Sequence, residues 1–326
     1  MAIGKDSDFV IFQDEFYGGQ YEAMTQNANA FNGASNNGMI MQTRDIRGNY
    51  GKESFLKELT SLVTRRDLTS VSAATDIAMT MDEFINVKIN RKIGPVAQTL
   101  GAWRKISADS REMSFQLGRM IGEQKAKDMV STAIGAVEAA LQGQATATVD
   151  KTAASVTTLC HAHLVAAMNL RGDKANEIVC WVMHSKPFFD LVGAAISDNV
   201  TNVADAVIYG GGPGTLGKPV VVTDAAQLLQ AGSPNSYPVL GLVQAGVSVI
   251  ESEQQDIYSE IVTGLEQLAL RVQGEYAFNI GVKGFKWDVT NGGTNPTDAN
   301  VFTTTNWDVA GTSDVKRWAG VRLLVA

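Results

Sequence analysis

The stretch from Asp109 to Gly143, DSREMSFQLGRMIGEQKAKDMVSTAIGAVEAALQG, constrains this chain more than any other. Met113, Leu117, Met120, Ile121, Val130, Ile134, Val137 and Leu141 recur at steps of mostly three and four, which is one face of a helix. Asp109 and Glu112 have the spacing of a capping box, and Gly143 supplies a C′ stop. At about 1.5 Å per residue the helix is roughly 50 Å long, more than the ~30 Å width of a small domain. It therefore reads as a strut. Gly118, Gly122 and Gly135 interrupt it, each unfavourable by roughly 1 kcal/mol against Ala. They admit close approach of neighbouring backbone, or a bend. The alternative is two shorter helices with a break near Gly122.

The 326 residues suffice for two domains or one elaborated one, and 45% apolar content supplies a core. A net charge of −7 argues against a protein that wraps nucleic acid with a basic face, though not against one that encloses it. Cys160 and Cys180 are too few for a disulfide framework and point to a reducing compartment. The start, MAIGKDSDFVIF, lacks the pattern of a secretory signal. No run approaches the ~18 apolar residues of a membrane span. The expectation is a soluble, intracellular chain.

Residues 1–50 are rich in Asn, Gly, Gln and Met, with turn signals at Asn32-Gly33 and Asn37-Gly38. Little periodicity is present, so this arm is expected to be mobile unless it orders against its own body or a neighbour. KESFLKELTSLV reads as a short amphipathic helix. Val87 and Ile89, alternating with Lys88 and Asn90, read as a half-buried strand that Gly94-Pro95 breaks before another extended piece. Lys88, Arg91, Lys92, Arg104 and Lys105 make a positive finger, either solvated or laid on an acidic surface of a neighbour. Helical character continues after the strut to Leu170, and Arg171-Gly172-Asp173 reads as a turn. Further on, Ile178–Met183 reads as a buried strand, PFFDLVGAAI as a helix with Pro187 in its first turn, and 219–223 as a strand. Two short strands are expected in 237–250, split at Gly241 or Gly246. Together these make a compact α/β lobe over about 155–250. Strand character from Tyr276 and an apolar terminal strand close the chain.

No catalytic, cofactor or metal residues emerge. Gly212 to Lys218 matches GxxxxGK, but Pro219 stands where Ser or Thr would hold magnesium, and a strand follows instead of a helix. Cys160, His161 and His163 cannot all converge from one helix, and a zinc site needs three or four ligands. Glu251, Glu253 and Asp256 read as a solvated face. No GxSxG or HExxH is present.

The order of arm, basic extended finger, long glycine-dotted helix, α/β lobe and returning strands resembles the major capsid proteins of tailed bacteriophages. VKINRKIGPV at 87–96, VMHSK at 182–186, TLGKPVVVTD at 215–224, VKGFKWD at 282–288 and NWD at 306–308 resemble one subfamily. The resemblance implies an α+β capsid fold: an N-terminal arm (1–50), an extended loop (51–107), a peripheral domain carrying the spine helix (108–149), an axial domain (150–250), and a return to peripheral strands with the C-terminal strand (251–326). It implies a structural, non-enzymatic subunit of a virion, self-assembling as hexamers and pentamers into an icosahedral shell in the host cytoplasm. Scaffolding, portal and decoration proteins are the implied partners, and double-stranded DNA is enclosed without sequence-specific binding or any membrane. The helix glycines gain a role as the place where the spine bends between an early and an expanded shell. The alternatives are an encapsulin-like or other non-viral shell protein of the same fold, and an α/β nucleotide-binding enzyme using Gly212–Lys218.

Overall fold

A computed structural model describes residues 6–59, 76–99, 110–203, 206–209, 216–263 and 269–326, with 62, 63, 65, 66, 69, 73 and 266. In chain order these form α1 (Asp6–Ala34), β1 (Met39–Thr43), β2 (Tyr50–Leu56), β3 (Met81–Thr99) and α2 (Ser110–Gln142). Then come β4 (Thr148–Asp150), α3 (His161–Asn169), β5 (Ile178–Met183), α4 (Ser185–Asn199), β6 (Val200–Val203), β7 (Ala206–Tyr209), β8 (Val220–Val222) and β9 (Tyr237–Val243). The rest is β10 (Val247–Val262), β11 (Ala269–Val282), β12 (Phe285–Trp287), α5 (Val289–Gly292), α6 (Asp298–Val301), β13 (Trp307–Val309) and β14 (Gly320–Val325).

The predicted strut is one helix of 33 residues that passes Gly122 without a break. Asp109 lies outside the described residues. The two halves of α2 are buried differently. Residues 132–141 are buried on every side, with Ile134, Val137 and Leu141 in the core. In the first half Met120, assigned to the apolar face, is 63% exposed. Among the described side chains the buried positions there are Ser114, Gly118, Gly122, Lys125, Ala126 and Met129.

That small-residue stripe is where α1 lies. The arm does not stay mobile: Asp6–Ala34 is helical, straight through the expected turn at Asn32-Gly33. Phe16, Gln20 and Ala23 are buried facing α2. A Cβ on Gly118 would stand 2.2 Å from the Phe16 carbonyl oxygen, and one on Gly19 would stand 2.6 Å from that of Phe115. The helices thus meet backbone to backbone, and dispersion along the seam replaces large side chains. The chain turns one step later, with Asn36 and Asn37 at φ 48° and 58°.

The first sheet has the order β1-β10-β11-β3-β2. Lys52–Leu56, the start of the stretch expected as helix, lies in β2 because β3 offers that strand a backbone from Val87 to Met81, and Phe55 stacks on Phe84 at 4.3 Å. Tertiary pairing outweighs local propensity here. Gly94-Pro95 does not end β3. Two residues of β3 face one of β11 between the pairs Val272↔Val96 and Gly274↔Ile93. The bulge uses Gly94 at φ +71° and a proline with no N–H to lose.

The second sheet has the order β4-β14-β9-β5-β8, so the apolar C-terminal strand lies between β4 and β9. The strand at Ile178–Met183, the helix carrying Pro187 and a division at Gly246 form as expected, but the strand after Gly246, expected to be short, runs 16 residues to Val262 and belongs to the first sheet. Helix before Leu170 is limited to His161–Asn169, because Thr148–Asp150 pairs in parallel with β14. β11 begins at Ala269, seven residues before Tyr276.

Arg171 of the expected turn is 1% exposed. Its guanidinium donates to the carbonyls of Val315 and Lys316, each at 2.8 Å, and to Glu177 at 2.8 Å. It gathers the carbonyls that precede β14. Trp287, Trp307 and Trp318 each donate the indole N–H to a carbonyl, of Gly293, Val301 and Thr312 respectively. Buried indoles usually find such a partner; Trp181, 0% exposed, is buried with its N–H unpartnered among the described residues.

Asp82, at the base of the β2–β3 hairpin, accepts from the Glu83 and Gly311 N–H groups and from Lys286. Burial raises its pKa, but those hydrogen bonds and the Lys286 charge outweigh it and hold the carboxyl at about 2.

Two outcomes follow from this packing. Gly118→Ala lowers the melting temperature despite its better helix propensity, because the seam must open. Gly18→Ala, on the open face of α1, raises stability by up to about 1 kcal/mol. For Asp82, a folded pKa below the ordinary 3.8 means stability present above that pH and lost as pH falls toward 2. Asp82→Asn removes that part of the acid dependence and costs about 1.5–3 kcal/mol at neutral pH, read by denaturant titration at pH 7 and pH 3.

Candidate assembly surfaces

The features with a chemical look are used by the fold. Of the GxxxxGK stretch, 212–215 lie outside the described residues. Leu216 and Gly217 take φ 59° and 72°, the Lys218 amine donates to the Ile178 carbonyl, and β8 follows. Burial lowers the pKa of that amine. Cys160 precedes α3, His161 is exposed and His163 is buried. His184 faces Asp224 at 3.5 Å. Among the described residues no three His, Cys, Asp or Glu side chains gather as metal ligands. Burial pushes the Cys180 thiol up to about 12.

Of the positive finger, Lys88 and Arg91 are turned inward. Lys88 is 3% exposed, with its amine 2.6 Å from Glu253 and 3.1 Å from the Ile46 carbonyl. Arg91 bridges Asp128 at 2.9 Å and Asp298 at 2.7 Å, and donates to Thr132 at 3.1 Å. Burial opposes its charge, but the two carboxylates outweigh that and raise its pKa. Lys125 of α2 pairs with Glu251. The Tyr276 hydroxyl donates to Asp128 at 2.9 Å, and burial followed by that carboxylate drives its pKa up. Glu251 is therefore not on a solvated face, as expected from sequence, but in a seam that clamps α2 to β3, β10 and β11. The reason is geometric: α2 covers this face of the sheet, and cations from both elements must share its carboxylates. Lys92 remains exposed; Arg104 and Lys105 lie outside the described residues.

Two surfaces are left over. Between β2 and β3, Leu56, Leu62, Val63, Ile77, Met79 and Met81 are all exposed, Val63 at 94%. Monomeric proteins rarely show so many large apolar side chains in one stretch. Beside α1, a groove of about 390 Å³ is lined by Tyr17, Tyr21, Met24, Met41, Met129 and the Lys125–Glu251 pair. Neither surface holds a reactive constellation, and both have the character of contact surfaces.

Comparison with known proteins agrees. No curated protein matches the sequence. The capsid of a native GTA particle shares the fold at a TM-score of 0.51 and 11% identity, covering 76% of this chain and 86% of that one. A structure from Microbacterium phage Oxtober96 does so at 0.50 and 8% identity, covering 74% and 83%. The capsid asymmetric unit of cyanophage Pam1 is similar over 86% of this chain and 85% of that one, at 13% identity and a TM-score of 0.49. Residues 8–322 match the family described as Gp13-like, major capsid protein 13-like. With nearly its whole length matched and the mixed helix-and-sheet fold of phage capsids, this chain belongs to the Gp13-like major capsid protein family.

Proposed function

We propose that the subunit self-assembles, as hexamers and pentamers, into an icosahedral shell that encloses double-stranded DNA. The observation that carries this reading is the exposed apolar stretch between β2 and β3. Such a surface is costly on a free subunit and favourable once a neighbour covers it. Many individually modest contacts suffice, because each subunit meets several others and avidity multiplies them. A net charge of −7 supports a container that does not grip the DNA.

In this reading residues 1–50 are the arm and 51–107 the loop that reaches a neighbour. Residues 108–149 carry the spine, 150–250 form the axial domain at the fivefold and sixfold centres, and 251–326 return to the peripheral strands. β14 pairs with β9, so the last strand also braces the axial sheet. Assembly takes place in the host cytoplasm with scaffolding, portal and decoration proteins, and the subunit performs no catalysis.

The hairpin can be shortened without harming the sheet. Leu56 and Met81 are cross-strand partners, so replacing 57–80 with a two-residue turn closes β2 onto β3. The wild type sediments as shells or as their pentamers and hexamers. The shortened subunit remains folded by circular dichroism and stays small. Full-sized shells from it would sink the assignment of this stretch.

A further inference from the structure

Strand β10 carries two bulges in succession. Between the pairs Glu251↔Phe278 and Glu253↔Ala277 it uses one residue more than β11, and between Glu253↔Ala277 and Asp256↔Glu275 it does so again. Bulges bend a strand and re-aim its side chains. At this bend lies a cavity of about 790 Å³, bounded by β10, β11 and the segment after β1. Asp45, Glu253, Asp256 and Glu275 line it. Ser252, the extra residue of the first bulge, lines it as well. Ser252 is 1% exposed, and its buried hydroxyl meets no hydrogen-bond partner among the described residues.

The charges around this cavity do not balance. Asp256 and Glu275 are direct cross-strand partners, so their side chains leave one face of the sheet with Cβ atoms about 5 Å apart. Like charges so placed repel, and among the described residues no cation pairs with either. The cations nearby are committed elsewhere. Lys88 takes Glu253 at 2.6 Å, Arg91 takes Asp128 and Asp298, and Arg44 stands 3.7 Å from Glu53. Asp45 has only Arg47, at 4.0 Å, with both side chains largely in solvent. Lys92, the partner of Glu275 on β3, is exposed and makes no ion pair among the described residues.

Geometry selects the kind of cation that fits. A calcium or magnesium ion needs its carboxylates gathered at one point, and among the described residues no three gather. They stand instead around a space in the size range of small-ligand pockets, about 300–1,000 Å³. We propose that this cavity binds a linear polyamine, an alkyl chain with ammonium groups spaced along it. Each terminal ammonium brings three N–H donors. One ammonium between Asp256 and Glu275 relieves their repulsion, another answers Asp45, and the Ser252 hydroxyl gains the donor it lacks. The bound chain ties the segment after β1 to β10 and β11. All these residues belong to one subunit, so the site stands apart from the shell-forming reading above.

The test is calorimetric titration of spermidine into the full chain at low salt, where surface charges are least screened, with thermal melting as a second readout. The wild type binds spermidine and melts higher in its presence. Asp256→Asn with Glu275→Gln melts no lower than the wild type without ligand, because a repulsion is gone, and binds spermidine about tenfold or more weakly. Ser252→Ala, which leaves the charge unchanged, weakens binding by about threefold, the loss of part of a hydrogen bond to a charged group. Glu22→Gln with Glu123→Gln removes as much charge from exposed positions on α1 and α2 and binds as the wild type does. Absence of binding to the wild type overturns the proposal, as does equal binding to the wild type and to the Asp256, Glu275 variant. Magnesium chloride at matched charge that reproduces the heat and the melting shift also overturns it, marking the cavity as a general counter-ion surface only. None of these results bears on whether the subunit forms shells.

Discussion

Ion pairs on one helix, of which Lys125–Glu251 and Glu138–Arg322 are buried, hold the two sheets in a fixed relation. Lys125 of α2 binds Glu251 in the first sheet, beside the partly exposed pair of Asp128 with Arg91. Ten residues after Asp128, about 15 Å along the axis, Glu138 accepts from Arg322 of β14 in the second sheet at 3.0 Å and from Gln230, outside that sheet, at 3.1 Å. Hydrophobic burial alone would let a smooth Ala-rich helix rotate or slide. Ion pairs with defined partners do not, and removing one member strands the other in a low dielectric at a cost of about 3–5 kcal/mol. The charges set geometry, and the buried Ile134, Val137 and Leu141 supply most of the favourable free energy.

The same logic explains the strand end of the chain. β14 is flanked by β4 and β9, carries Arg322, and is preceded by the segment that Arg171 gathers by its carbonyls. A buried guanidinium stands on each side of residues 318–320, Arg322 in the strand and Arg171 from the turn after α3. Arg171, which reads from sequence as part of an ordinary turn, thus helps to seat β14 in the second sheet.

How much of this was legible depends on which physical term wrote the pattern. The second half of α2 and the strand Ile178–Met183 are written in large apolar side chains, and the periodicities of helix and strand expose them directly. The arm helix was not legible, because its contact surface sets Gly19 against Phe115, Gly118 against Phe16 and Gly122 against Gln20 and Ala23, and a seam built on glycines has no hydrophobic period to detect. β2 was not legible because its strand state comes from β3, thirty residues away in sequence. Lys88 and Glu251 looked solvated because sequence shows charge but not which sheet face a helix will cover. The capsid resemblance carried the overall order of parts, since short strings in a fixed order survive where local propensity misleads.

The glycine seam also limits how the long helix can move. With the Phe16 carbonyl seated where a Cβ of residue 118 would be, α2 has no free space to bend toward α1 near Gly118. Any bend there must carry α1 with it. Moving α1 displaces Tyr17, whose hydroxyl bonds the backbone of Ile257. It also strains Asn32 and Ser35, which close β1. A change in the helix, a shift of the arm and exposure of the β10 edge are therefore mechanically one event. Glycines that a propensity scale counts only as weak points are what couple α2, through α1, to the edge of β10.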